Sequence, residues 1–211
     1  MKKVMILGVV FFGTVWGASE VFLGEALYAT GFRYASVPLG VIALAVLSMA
    51  RAYFPRRGTS TAIAACAALY KCLAMLTSLA GTPLFACHLL GIVTLGLAYD
   101  AALSILGSRH RSVCAAAAAY VGYATFALLI TYVFRYQPWV SGGLMKVLKH
   151  VGISGTLTAV GGAVVAPLSH RLVDGLRRAA PRSFSLESRL AAGGIVAATA
   201  GLWVIGIAVP V

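Results

Sequence analysis

The run Gly13-Thr14-Val15-Trp16-Gly17-Ala18-Ser19-Glu20-Val21-Phe22-Leu23-Gly24-Glu25 decides how this chain is read. It sets two carboxylates inside a segment that is otherwise almost wholly apolar from Val4 to Leu27. A segment of about 24 residues is long enough to cross a bilayer as a helix. A charged side chain at that depth costs about 2.5–3.5 kcal/mol on insertion scales, so it needs a partner or a role. On a helix, Trp16, Glu20, Leu23 and Gly24 share one face. Glu25 points about 140° away from Glu20, so the two carboxylates do not form a catalytic pair.

The rest of the chain repeats this pattern. It has 211 residues, 61% hydrophobic and only 10% charged, with a mean hydropathy of +0.94. Soluble domains carry about 25% charged residues. Repeated apolar runs near 20 residues, without period-two alternation, indicate an all-α polytopic membrane bundle and exclude a β-barrel. The 23 glycines and the many alanines suit closely packed membrane helices. The net charge of +12 sits in short connections, as orientation signals require, and is not read as a nucleic-acid surface. Cys66, Cys72, Cys87 and Cys114 form no CxxC pair and read as buried small hydrophobes.

Seven spans are expected, six being the other count: about Val4–Leu27, Ser36–Phe54, Thr59–Leu79, Leu84–Leu106, Val113–Phe134, Val151–Val173 and Leu190–Val209. Lys2 and Lys3 before the first span resemble a signal-peptide start, but the apolar run continues past Gly17-Ala18-Ser19, so it is read as a retained helix. Pro38 falls in a first turn, where its missing N–H does little harm. Gly81-Thr82-Pro83 reads as a tight turn. Leu144–His150 reads as a short amphipathic helix, with Trp139 nearby as an interfacial anchor. The connections leave no room for a soluble domain, so residues 1–211 are one bundle.

The basic residues alternate in side. Lys2, Lys3, Arg51, Arg56, Arg57, Arg109, Arg111, Arg171, Arg177, Arg178, Arg182 and Arg189 share one; Arg33, Lys146 and Lys149 share the other, with Arg135 at the boundary. This bias predicts a cytoplasmic N-terminus in a plasma (cell inner) membrane. Seven spans then put the C-terminus outside, and six put it inside. Glu20 falls in the outer half, Lys71 near the midplane, Cys87 and His88 in the outer third and Asp100 in the inner third.

Glu20, Lys71 and His88 are therefore expected to meet in an outward-facing cavity, with Trp16 and Tyr70 as apolar walls. Each has a competing structural reading: Glu20 and Lys71 as a locking ion pair, His88 as an interhelical hydrogen bond. Tyr120 and Tyr123 are further wall candidates, and Asp100 reads as a helix-end group facing the basic turns. Glu20, Cys72, Cys87 and His88 have the chemistry of a late-transition-metal set, but their spacing does not require one, and no metal site or cofactor is assigned.

Enzyme signatures are weak. Gly152-Ile153-Ser154-Gly155 matches the GxSG element around the nucleophile of rhomboid proteases. The one histidine after it in sequence, His170, lies about 24 Å along the same helix. A Ser–His pair needs hydrogen-bond reach. HExxH and GxxxxGK[ST] are both absent.

Size, topology and small-residue content resemble the substrate-binding S components of energy-coupling factor transporters. Gly13-Thr14-Val15-Trp16-Gly17 is similar in kind to the small-xxx-small motif on that family's first helix. The resemblance implies a compact bundle, typically of six helices, that takes a vitamin or metal ion from the outer side. It also implies that Gly13 and Gly17 pack on a coupling subunit. The reading is a transport component, not an enzyme, whose partners are the bilayer, a small polar solute (zwitterionic or heteroaromatic) and further membrane subunits. The alternative is a non-transport membrane subunit, for assembly or electron transfer, whose polar residues lock helices together. An intramembrane enzyme is the third.

Overall fold

The computed structural model describes residues 2–77, 84–179 and 187–208. Their regular structure is helical, with no strand among the described residues. Five helices come first: α1 (Lys2–Ala29), α2 (Ser36–Tyr53), α3 (Thr59–Thr77), α4 (Leu84–Leu106) and α5 (Arg111–Leu128). A π-helical segment, Leu129–Val133, prolongs α5. Two short helices follow, α6 (Gln137–Val140) and α7 (Gly143–Lys149). A second π segment, His150–Gly155, joins α7 to α8 (Thr156–Ala179), and α9 spans Glu187–Ala208.

Six helices are long and apolar enough to cross a membrane among the described residues. The Leu144–His150 stretch, expected to be a separate helix, instead belongs to one 37-residue run from Gly143 to Ala179. The π segment bridges the expected break, so no free end has to be capped there. The expected seventh span falls on α9, whose apolar stretch, Gly193–Gly206, is shorter. The Gly81-Thr82-Pro83 turn lies outside the described residues, as do Arg182 and the end of the last expected span.

The helices pack in the circular order α1, α3, α4, α5, α8, α2, which closes back on α1. Helix α9 lies outside this ring against α1 and α3. Small residues make the approaches close. A Cβ on Gly13 would stand 2.5 Å from Cys66 Cβ, and one on Gly17 would stand 2.7 Å from Tyr70 Cβ. Gly96 approaches Ala64 of α3, and Gly162 of α8 approaches Leu44 of α2, in the same way. Large side chains point the other way: Val160, Val164, Leu168, Leu172 and Leu176 form an exposed stripe along α8. A core of Ala and Gly under a surface of Leu and Val suits a bilayer, where packing rather than water drives helices together.

The chain turns back sharply at each end of the ring. Gly31 and Gly107 follow α1 and α4 with φ of +68° and +78°, the left-handed conformation that commonly ends helices. One end carries the 30–35 and 134–142 connections. The other carries the 54–58 and 107–110 turns and most of the basic residues.

Candidate functional site

The first end of the ring is hollow. Trp16 and Glu20, one turn apart on α1, both face inward, and Trp16 Nε1 donates to Glu20 Oε1 at 3.3 Å. Glu20 is 9% exposed. Lys71 arrives from α3 on its other side. Its Nζ stands 3.6 Å from Glu20 Oε2 and donates to the Glu20 carbonyl at 2.9 Å. The buried ammonium thus has one carboxylate and one carbonyl, and it ties α3 to α1. Desolvation costs several kcal/mol per ion, so such a pair is kept only where both charges are well partnered.

A cavity of about 310 Å³ opens from Glu20 towards the 30–35 connection. That volume lies at the lower end of the range for small-molecule sites. Trp16 and Glu20 stand at its inner end, and Tyr28 and Arg33 belong to the other end of its wall. Helix α4 contributes Cys87, His88 and Gly91, and α5 contributes Gly122, Tyr123 and Phe126.

The most ordered wall is aromatic. His150 stacks on Tyr123 with ring centroids 5.0 Å apart and an interplanar angle of 24°. Trp139 meets the same imidazole edge-on at 5.0 Å, and Phe126 lies 5.6 Å from it. Tyr123 is fixed from behind: its hydroxyl donates to the Ser36 carbonyl at 2.6 Å and accepts from Thr158 Oγ1 at 2.9 Å. Gly40 leaves room for this, because a Cβ there would stand 2.8 Å from the Tyr123 hydroxyl. Across the cavity, Tyr28 and His88 meet edge to face at 5.6 Å, with Tyr28 Oη 3.4 Å from His88 Nε2.

Both π segments serve this wall. The second carries His150 and Ser154, which line the cavity. The first leads into Arg135, held at φ +48°, and then to the short helix that presents Trp139. A non-glycine residue in that conformation costs about 1–3 kcal/mol and is found where surrounding structure imposes it. π-Helical turns are themselves frequent at functional sites.

Of the residues singled out from sequence, Trp16, Glu20 and His88 line the cavity. Lys71 stands behind Glu20 and is not in the wall. Tyr70 turns away from it: its hydroxyl donates to the Leu202 carbonyl of α9 at 2.6 Å, and its ring meets Trp203 at 4.9 Å. Consecutive residues on a helix point about 100° apart, so Tyr70 and Lys71 serve different neighbours. Gly13 and Gly17 face Cys66 and Tyr70 of the chain's own α3. Tyr120 bonds Thr156 on an exposed face, at 2.9 Å. His150, Phe126 and Arg33 were not anticipated as wall residues; a histidine flanked by Trp139 and Tyr123 in neighbouring segments was the available signal.

Ser154 of the GxSG run is buried in the cavity wall. Among the described residues no hydrogen bond joins it to His88 or His150, which hold aromatic partners instead. No group of three His, Cys, Asp or Glu side chains among the described residues is placed to hold a metal ion. The arrangement offers fixed ring faces, one compensated carboxylate and a few hydroxyls. Its chemistry is that of binding.

No protein-family model, curated protein or solved structure matches this chain.

Proposed function

We propose that this chain is a plasma-membrane transport component that takes up a small, polar, ring-bearing solute from the outer side. One observation carries the reading: a cavity of ligand size, walled by fixed aromatic rings and ended by Glu20, in a bundle otherwise filled by small side chains. The excess of basic residues at the opposite end supports a cytoplasmic N-terminus and an outward-facing cavity. Energy for transport comes from partners or an ion gradient, because the chain has no phosphate-binding loop. The kinship in form with S components of energy-coupling factor transporters belongs to this proposal. Gly13 and Gly17 are covered by α3, so a coupling subunit would dock on another surface.

The test is native mass spectrometry of gently purified protein, beside Glu20→Gln and Tyr123→Ala. A small molecule retained by the wild type and lost from both folded variants is the expected result. A cavity that stays empty, and thermal stability unmoved by any solute screened, would sink the reading. A second reading has its own observation: Lys71 is spent on Glu20, as in a subunit whose polar residues only lock helices. It predicts a stable complex with other subunits and no solute.

A further inference from the structure

Beside the cavity, at the same end of the bundle, lies a shallower cleft of about 390 Å³. The two share Arg33, Trp139, His150 and Ser154 as a common wall. The cleft adds Lys146 and Lys149, so the three basic residues assigned to this side by sequence converge on one opening. Lys146 Nζ donates to the Pro138 carbonyl at 2.6 Å and stands 5.2 Å from the centre of the Trp139 ring. Its charge is thereby held over the shared wall. Among the described residues, neither Arg33 nor Lys149 has a carboxylate within 4.0 Å. The carboxylate that lines the cavity, Glu20, is already matched by Lys71. The field at the opening is therefore positive, and low-dielectric walls concentrate it.

We propose that cavity and cleft form one two-part site for an organic anion. A planar ring lies among Tyr123, Phe126 and Trp139, and a carboxylate or phosphate on that ring is held by Arg33 and Lys149. This rests on the cavity being a solute site, and it narrows the solute to a class. Stacking on fixed rings supplies affinity for the flat part. Charge-assisted hydrogen bonds from a guanidinium and an ammonium supply it for the anionic part. A lipid headgroup carries the same anionic chemistry, but it brings no ring for the aromatic wall.

Calorimetric titration of the detergent-purified full chain with 1-naphthyl phosphate and with 1-naphthol tests the proposal. The double variant Arg33→Ala/Lys149→Ala changes two exposed side chains outside the packed core. The wild type is expected to bind the phosphate about tenfold more tightly than the alcohol. That preference should shrink as salt rises and vanish in the double variant, with affinity for 1-naphthol unchanged. Equal affinity for the two probes in the wild type overturns the anionic subsite and leaves the cavity reading standing. Binding of neither probe overturns both. Phosphatidylglycerol retained by the wild type and lost from the double variant, with no preference between the naphthyl probes, assigns the cleft to lipid and overturns the proposal.

Discussion

Two carboxylates in this bundle are equally buried, Glu20 and Asp100, each 9% exposed, and they sit near opposite ends of the ring. Asp100 of α4 is saturated by protein. Its Oδ2 accepts from the Thr61 amide and hydroxyl, both at 2.8 Å, and its Oδ1 stands 3.7 Å from Arg51. It thereby closes the first turn of α3, where free amides otherwise lack partners, and no cavity adjoins it. Glu20 has one cation and one indole, and its remaining side faces open volume. Burial alone does not separate the two. What separates them is whether the neighbours use up the oxygens.

The sharpest way to break this comparison is to remove each carboxylate. Asp100→Ala leaves Arg51 uncompensated and the start of α3 uncapped, so a loss of about 3 kcal/mol is expected. Thermal unfolding in detergent reads it, and affinity for a bound solute in the folded fraction should not move. Next in size is Lys71→Met, which strands the Glu20 charge and costs about 2–3 kcal/mol. Adding Glu20→Gln should return most of that stability while solute binding stays lost. A double-mutant cycle measures the coupling, and no recovery in the double variant would mean that Lys71 acts through the Glu20 carbonyl alone. Smallest is Tyr123→Phe, which removes the hydroxyl between Ser36 and Thr158 and costs about 1 kcal/mol. A solute affinity that falls with it would show that the ring must be held still, not merely present.

The bundle was legible because hydropathy and length suffice for it. Helix α4 has the expected bounds, and α1 and α2 differ by a residue or two. The shared face of Trp16 and Glu20 was equally legible, since 3.6-residue periodicity places them together and the structure bonds them. Asp100 was read as a helix-end group, and it caps α3 beside Arg51. Tyr70 went the other way because the position of α9 decides which face of α3 is covered, and hydropathy carries no information on that. His150 escaped notice because its direction depends on a π segment, and an apolar run looks alike whether it winds with 3.6 residues per turn or more. The lysine behind Glu20 was found as a partner and misplaced as a wall. Its long stem reaches the carbonyl of the residue whose carboxylate it faces, a detail of reach beyond any residue spacing.

The π segment at 150–155 also bears on how this chain tolerates changes of length. A turn that closes over five residues holds one more than an α-turn. A chain shortened by a single residue there winds as plain α-helix. Everything before the lost residue, His150 included, then swings by about 100° relative to α8. Such a deletion leaves hydropathy, span count and most of the packing untouched, yet it turns the imidazole off the Tyr123 ring. Among descendants of this sequence, those that keep six residues between Lys149 and Thr156 keep the aromatic wall, whatever else they change.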